Sequence, residues 1–258
     1  MSAPLSGRRV LVTRTRERSA GIVDALHALG ADVMVVPLIA IEPLASPSQV
    51  VTSFDRLLRS PPPRWLVFTS AEAARLVLGV IGDDEGLLGV HIATVSDETA
   101  LPLRRSGRAP DLVAQQGTAA TLAEDIAKAG VHGGHVWFPA AEGAAEALPR
   151  RLRDAGGDVD VQPVYRTVMP ADAPRRLRAA LGHGVDAVTL TSGSTARHLV
   201  EALHGLELPS SLRIACIGES TAAVARSVGL GVDIVADHPS GPSLAHALAR
   251  YWSSETVG

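Results

Sequence analysis

The chain has 258 residues, of which 46% are hydrophobic and 20% are charged, and its formal net charge at pH 7 is -3. That length can bury one or two full cores. Nearly all the positive charge is on arginine, with Lys128 the single lysine, and 24 basic residues stand against 27 acidic ones, so we expect no basic surface of the kind that dominates nucleic-acid affinity. One cysteine, Cys216, excludes a disulfide framework. The longest apolar stretch, 33–41, is too short to span a bilayer, and the N-terminus lacks the apolar core of a signal peptide. We therefore expect a cytoplasmic protein without nucleic-acid or membrane partners.

Short apolar, β-branched runs recur along the chain, and each precedes a stretch rich in alanine and leucine. In chain order the runs are 10–12, 66–68, 92–95, 136–138, 187–190 and 214–217. The glycines that stand where the helices should stop are Gly30, Gly107, Gly130, Gly156 and Gly229. The proline-rich segments 43–47 and 61–63 indicate loops. Continuous apolar strands belong in parallel sheets covered on both faces, so the pattern predicts an α/β fold of flavodoxin-like layers.

The chain also aligns with itself, which predicts two related domains. Residues 65–127 match 187–249 without a gap at an offset of 122, and residues 10–37 match 136–163 at an offset of 126. Two arrangements are compatible with this order. The halves stand in tandem, or a middle block of about 43–164 is inserted into a domain built from both chain ends. In the second case, crossings near 37–42 and 165–170 form a double hinge beside a cleft, which is where we expect the functional site.

Several common kinds of site are missing from the sequence. No glycine-rich phosphate loop or dinucleotide fingerprint follows a predicted strand, and no Gly-x-Ser-x-Gly segment is present. His132 and His135 form the only close histidine pair, without a third ligand in the sequence nearby, and are expected to be solvated. Cys216 falls inside a predicted strand and is expected in the core. We therefore expect no metal or cofactor, and the missing glycines count against a nucleotide-dependent transferase.

Small hydroxyl and glycine clusters stand between the end of a strand and the start of a helix in both halves. The candidate substrate-binding residues among them are Thr69, Ser70, Ser96, Thr99, Thr191, Ser192, Gly193, Gly218, Ser220 and Thr221. In a parallel sheet these turns gather at the carboxyl edge, where ligands bind, and helix N-terminal amides are good donors to anions. Each cluster taken alone is better explained as an ordinary helix cap. The repetition of the set at one spacing favours anion binding.

Five stretches carry a resemblance to a known family. Residues 10–14 (VLVTR), with 29–39 after them, resemble the opening of the uroporphyrinogen-III synthases. Residues 67–71 (VFTSA), 163–167 (PVYRT) and 217–222 (IGESTA) continue the likeness, which covers nearly the whole chain. The resemblance implies the inserted arrangement, with one domain of 1–39 plus 167–258, an inserted domain of 43–164 and a two-stranded hinge.

The resemblance also implies a hydro-lyase that needs no cofactor. Members of this family close hydroxymethylbilane, a linear tetrapyrrole with eight carboxylates, into uroporphyrinogen III. Loss of the terminal hydroxyl gives an azafulvene, ring D attacks it, and a spiro intermediate fragments and rejoins with ring D inverted. We expect a monomer that meets the upstream deaminase at most transiently.

Tyr165 and Arg14 are the individual side chains that the resemblance singles out. Tyr165 matches the tyrosine implicated in catalysis, and a phenol protonated at neutral pH can donate to the departing hydroxyl as a general acid. It is otherwise an interfacial tyrosine whose ring packs. Arg14 is a candidate for pairing with a substrate carboxylate, and is otherwise a surface arginine. Where the second half has Gly218 the first has Ser96, so the first half of the site departs from the family pattern.

A rival class is a non-catalytic ligand-binding or sensor protein, because two α/β domains joined by a double hinge are also the plan of solute-binding proteins. Such a protein would keep the hydroxyl turns but could lose Tyr165. The presence of Tyr165 favours the enzyme.

Overall fold

The computed structural model describes residues 3–82 and 87–255, and this part of the chain divides into two compact units. Unit 1 consists of residues 1–40 and 168–258, and unit 2 consists of residues 41–167. Unit 1 is therefore built from both ends of the chain. No helix in the described segments is both long and apolar enough to cross a membrane.

Unit 1 is a layered α/β structure around a parallel sheet. Its strands are β1 (Arg9–Val12), β2 (Asp32–Val35), β9 (Ala187–Leu190), β10 (Arg213–Cys216) and β11 (Ile234–Val235). Its helices are α1 (Arg16–Ala28), α7 (Ala173–Gly182), α8 (Gly193–Leu203), α9 (Glu219–Ser227) and α10 (Gly241–Glu255). The spatial order is β11-β10-β9-β1-β2, and all these neighbours are parallel. Counted in the unit's own chain order this is 2-1-3-4-5, the flavodoxin-like order.

Unit 2 repeats that order with a different starting point. Its strands are β3 (Ala40–Pro43), β4 (Arg64–Phe68), β5 (His91–Thr94), β6 (Leu112–Val113), β7 (His135–Ala141) and β8 (Asp158–Val168). Its helices are α2 (Pro47–Arg59), α3 (Ala71–Ile81), α4 (Asp97–Arg105), α5 (Ala119–Ala129) and α6 (Ala147–Asp154). The order is β3-β8-β7-β4-β5-β6. If β7 and β8 are read as the first two strands, the five strands after β3 again follow 2-1-3-4-5.

The gapless repeat in the sequence is confirmed by the element bounds. Adding 122 to the bounds of α3, β5, α4 and β6 gives those of α8, β10, α9 and β11 without any shift. The α/β class with parallel sheets is confirmed as well. Strand β3 and helix α2 were not expected from the sequence. They lie on either side of the segment 44–46, so the proline-rich 43–47 is a loop only in its middle.

Each sheet is covered on both faces by apolar side chains, as its continuous apolar strands predict. In unit 1, Leu11 and Val188 belong to one buried layer and Val10 and Ala187 to the other. Unit 2 divides in the same way, with Leu66, Phe68 and Trp137 in one layer and Trp65 and Phe138 in the other. This alternation follows from the two-residue period of a strand.

Glycines end several helices where the sequence predicts it. Gly30 follows α1 with φ of 89°, a left-handed conformation that a side chain would strain, and a Cβ there would stand 2.7 Å from that of Ala3. The chain can therefore turn from α1 directly into β2. The segment 165–170, expected to be a linker, is strand up to Val168.

Candidate functional site

Both sheets place their strand-to-helix turns at the carboxyl edge, where parallel sheets bind ligands. Eleven of the twelve residues singled out in the sequence lie on these turns or in the first turn of the helix that follows, and Tyr165 lies near the end of β8. The structure places them in two sets, one for each unit. The set of unit 2 is Thr69, Ser70, Ser96, Thr99 and Tyr165. The set of unit 1 is Arg14, Thr191, Ser192, Gly193, Gly218, Ser220 and Thr221.

Tyr165 is the most tightly held member of the unit 2 set. Its side chain is 8% exposed and belongs to the apolar layer that contains Phe68 and Ala73. Its hydroxyl lies 2.8 Å from Ser70 Oγ at the start of α3. Strand β7 separates β8 from β4 in the sheet, so the Tyr165 side chain on β8 reaches across the position of β7 to contact Ser70.

A bulge in β8 explains why Tyr165 faces this way. Ala140 pairs with Pro163 and Ala141 pairs with Tyr165, so β8 has one extra residue, Val164, at this point. Successive side chains of a regular strand point to opposite faces, yet Val164 and Tyr165 both lie in the same apolar layer. Bulges near functional sites commonly redirect a side chain in this way. The sequence alone contained no signal for the bulge.

An ion pair next to Tyr165 joins strands β3 and β8. Arg166 donates from Nε and Nη2 to the two carboxylate oxygens of Glu42, at 3.1 and 2.8 Å. This hydrogen bond, with the charge of the guanidinium, lowers the pKa of Glu42, and the carboxylate raises the pKa of Arg166. The pair links the end of β8 to β3, and because it is exposed it adds little stability.

Ser96 and Thr99 lie at a second capped helix start of unit 2, that of α4. Ser96 accepts from the backbone N–H of Thr99 at 3.3 Å, and its Oγ lies 3.2 Å from the Thr99 hydroxyl. Thr99 is buried and Ser96 is half-buried. Thr69 is half-buried just before Ser70. The capping roles expected from the sequence are thus confirmed for Ser70 and Ser96.

In unit 1 the turn after β9 is fixed by a capping box. Ser192 Oγ accepts from the N–H of Thr195 at 3.2 Å, and Thr195 Oγ1 accepts from the N–H groups of Thr191 and Ser192 at 3.2 and 3.1 Å. Thr195 was not singled out from the sequence, although it stands three residues after Ser192, which is the spacing of a capping box. Gly193 packs against α9, where a Cβ would come within 3.0 Å of Val224.

The start of α9 differs, because Gly218 gives it no side-chain cap. Thr221 is buried and donates its backbone N–H to Gly218 O at 3.1 Å, while Ser220 is exposed. Gly218 has φ of 176°, an extended conformation open to any residue, and a Cβ there would meet only Pro239 at 3.8 Å. The glycine is therefore not required by the backbone, and it leaves the first-turn amides of α9 without a serine oxygen.

Two other polar groups of unit 1 lie near this edge. Arg14 is half-buried on the turn between β1 and α1. His198 on α8 lies with Nδ1 2.7 Å from the carbonyl oxygen of Leu38. Since a carbonyl only accepts, Nδ1 carries the proton and donates it. His198 was missed in the sequence because a single histidine on a helix gives no signal of its own.

Metal and thiol chemistry find no support in the described residues. Within 3–82 and 87–255, no cluster of three or more histidine, cysteine, aspartate or glutamate side chains could hold an ion. His135 was expected to be solvated, and this is wrong. It starts a central strand, is 4% exposed, and places Nδ1 2.8 Å from Asp158. Cys216 is fully buried, which confirms it as a core residue, and this burial raises the pKa of its thiol to about 11.

Comparisons with known proteins agree on one family. The family described as Uroporphyrinogen-III synthase HemD matches residues 20–246. The "Uroporphyrinogen-III synthase" of Chlorobaculum parvum is 28% identical over 251 residues, 94% of this chain and 98% of that protein. The protein of the same name from Synechococcus elongatus is 25% identical over 98% of each chain.

Solved structures give the same fold. A crystal structure of a mutant uroporphyrinogen III synthase from Thermus thermophilus matches with a TM-score of 0.66 at 19% identity, over 96% of this chain and 100% of that one. The Helicobacter pylori enzyme matches with a TM-score of 0.61 at 18% identity, over 94% and 99%. At these identities the structures support the fold, while the sequence match over residues 20–246 supports the family. The chain belongs to the uroporphyrinogen-III synthase family.

Proposed function

We propose that this chain converts hydroxymethylbilane into uroporphyrinogen III, with loss of water and inversion of ring D, and that it does so without a cofactor. The observation that supports this most strongly is the placement of Tyr165, a buried phenol held by Ser70 at the carboxyl edge of unit 2. A family member with a fixed proton donor at that edge has the group that the first step needs.

The chemistry assigned to Tyr165 is proton donation to the leaving hydroxyl. As the carbon–oxygen bond of the terminal hydroxymethyl group breaks, the oxygen takes the phenol proton and leaves as water. The resulting azafulvene is attacked by the substituted carbon of ring D, which gives the spiro intermediate. That intermediate fragments and rejoins with ring D inverted. The substrate is already reactive, so holding and orienting it contribute most of the selectivity.

The remaining candidates are assigned to binding the substrate carboxylates. Gly218 leaves the amides at the start of α9 without a serine cap, and Ser220 lies exposed beside them. Helix N-terminal amides stabilise anions through their N–H groups and the helix dipole. Thr191, Ser192 and Gly193 present a second helix start in unit 1. In unit 2, Thr69 lies just before the start of α3, and Ser96 and Thr99 lie at the start of α4.

Arg14 is assigned to charge pairing with a carboxylate at the edge of unit 1, next to the turn after β9. A guanidinium recognises a carboxylate through two parallel hydrogen bonds. The monomeric state, the cytoplasmic location, the transient contact with the upstream deaminase and the absence of nucleic-acid and membrane partners stay predictions.

The test of the function is an isomer analysis. Purified protein is given freshly generated hydroxymethylbilane, the product is oxidised, and the type I and type III isomers are separated. We expect a large excess of type III over a control without protein. If folded protein yields only type I at the spontaneous rate, the synthase is excluded and the non-catalytic binding protein becomes the better explanation. Binding of the substrate without turnover would then be measured by fluorescence quenching of the three tryptophans.

A further inference from the structure

Three polar groups lie within hydrogen-bonding distance of the Ser70 hydroxyl oxygen, and this oxygen has only two lone pairs that can accept. The backbone N–H groups of Glu72 and Ala73 donate to Ser70 Oγ at 3.1 and 3.4 Å. The third neighbour is the hydroxyl of Tyr165 at 2.8 Å. Ser70 is therefore a helix cap and a partner of the phenol at the same time.

The number of groups fixes the direction of the bond to Tyr165. A serine hydroxyl has one proton and two acceptor lone pairs. A backbone N–H can only donate, so Glu72 and Ala73 occupy both lone pairs. What remains is the proton of Ser70, and the third neighbour of this hydroxyl is Tyr165 Oη at 2.8 Å. We infer that Ser70 is a positioning residue that donates a hydrogen bond to Tyr165 Oη. The direction of this bond is independent of the proposed function, and only its effect on catalysis rests on that function.

This direction suits an acid. A phenol oxygen that accepts from Ser70 does not spend its own proton on Ser70, so that proton is turned toward another partner. When Tyr165 transfers a proton, negative charge develops on its oxygen. A donor already aimed at that oxygen stabilises the charge without reorganisation. The bulge in β8 and the burial of the ring hold the oxygen at the distance that this requires.

The first experiment reads the direction of the bond without any enzyme assay. The chain has two tyrosines, so Tyr251→Phe, which keeps the ring beside Trp252, leaves Tyr165 as the only phenol. The intensity ratio of the tyrosine Fermi doublet in the Raman spectrum is high when the oxygen accepts and low when the phenol donates. We expect Ser70→Ala in this background to lower the ratio, because the accepted bond is lost. A rise in the ratio would mean that Tyr165 had been donating, and would overturn the inference.

The second experiment separates positioning from capping. Ser70→Asp keeps an acceptor for the two amides but has no proton to give at neutral pH, so it retains the cap and reverses the bond to Tyr165. We expect Ser70→Asp and Ser70→Ala to lower kcat about tenfold with little change in KM, and Ser70→Thr to restore it. Full kcat in Ser70→Asp would show that only the cap matters and would overturn the positioning role.

Two controls make the result specific. Ser46 caps α2 in the same unit and bonds Gln49 instead of a tyrosine, so Ser46→Ala and Ser46→Asp should leave kcat unchanged. In a Tyr165→Phe background, Ser70→Ala should cause no further loss, because both changes remove one interaction. If the native protein shows no synthase activity, the proposed function fails while the Raman result still decides the direction of the bond.

Discussion

The two units share a strand order and matching helix bounds, yet matched residues at their carboxyl edges make different contacts. Ser70 and Ser192 match at the offset of 122, and both cap the helix that follows. The position that matches Tyr165 in unit 1 is Ile39, at the offset of 126. In unit 2, Ser70 therefore caps a helix and also contacts the Tyr165 hydroxyl. In unit 1, the matching Ser192 caps a helix and completes a capping box with Thr195.

The neighbourhoods of these serines differ in a related way. In unit 2 the carbonyl oxygen of Val164 accepts from the backbone N–H of Leu44, just after the additional strand β3. In unit 1 the matching carbonyl, that of Leu38, accepts from the side chain of His198. A duplicated fold therefore satisfied the same backbone group in two ways. In unit 2 the bulge lies at Val164, and the residue after it is Tyr165.

The largest effect is expected from Tyr165→Phe, because this change removes the proposed acid and keeps the ring. We expect kcat for type III product to fall on the order of 10²-fold without being abolished, since orientation of a reactive substrate remains. The folded fraction should be unchanged because the hydroxyl is the only group lost. The matched control is Tyr251→Phe, which removes the other phenol. Equal kcat in the two variants would show that Tyr165 has no catalytic part.

Gly193→Ala is expected to show that the matched helix starts are packed differently. The residue that matches Gly193 in unit 2 is Ala71, so a methyl group is accepted there. In unit 1 the new Cβ would stand 3.0 and 3.2 Å from the two methyl groups of Val224. We expect the free energy of unfolding to fall by about 1 kcal/mol, measured by urea titration.

Two variants decide whether the cause is this contact. Val224→Ala in the same chain should remove the penalty of Gly193→Ala by making room for the methyl group. Gly182→Ala, at a helical glycine with open space around it, should be neutral or stabilising because alanine favours helix. A Gly193→Ala protein as stable as the native one would show that α9 adjusts at no cost.

These comparisons also show how far the sequence alone could be used. The repeat and the apolar periodicity were enough for the parallel sheets and for the serine caps, because both depend on short-range patterns. The bulge at Val164 and the contact between Ser70 and Tyr165 were not predictable in the same way. They depend on how strands that are distant in the chain register against each other. His135 was misjudged for a different reason, because the glycine-rich turn before it conceals the start of a buried strand.

Gly218→Ser should convert the start of α9 into the form seen at Ser96. The backbone at Gly218 is already extended and the new Cβ meets only Pro239 at 3.8 Å. We expect a gain in stability of about 0.5 kcal/mol from the added cap, measured as a rise in Tm. If the uncapped amides bind a substrate carboxylate, KM should rise about threefold, because the serine oxygen competes for them. A gain in stability with unchanged KM would exclude this turn from the binding site.

The smallest effect is expected at Thr94, which matches Cys216 of unit 1. Thr94 is fully buried at the end of β5, and its Oγ1 has no hydrogen-bond partner in the structure. A buried hydroxyl without a partner has lost its water and gained nothing in exchange, so removing it costs little when the shape is kept. Thr94→Val should therefore change the free energy of unfolding by no more than about 0.5 kcal/mol, in the stabilising direction. Thr99→Val, where the hydroxyl contacts Ser96 at 3.2 Å, is the contrasting variant and should be destabilising. A clear loss of stability in Thr94→Val would mean that its hydroxyl makes a favourable hydrogen bond after all, and would contradict the prediction.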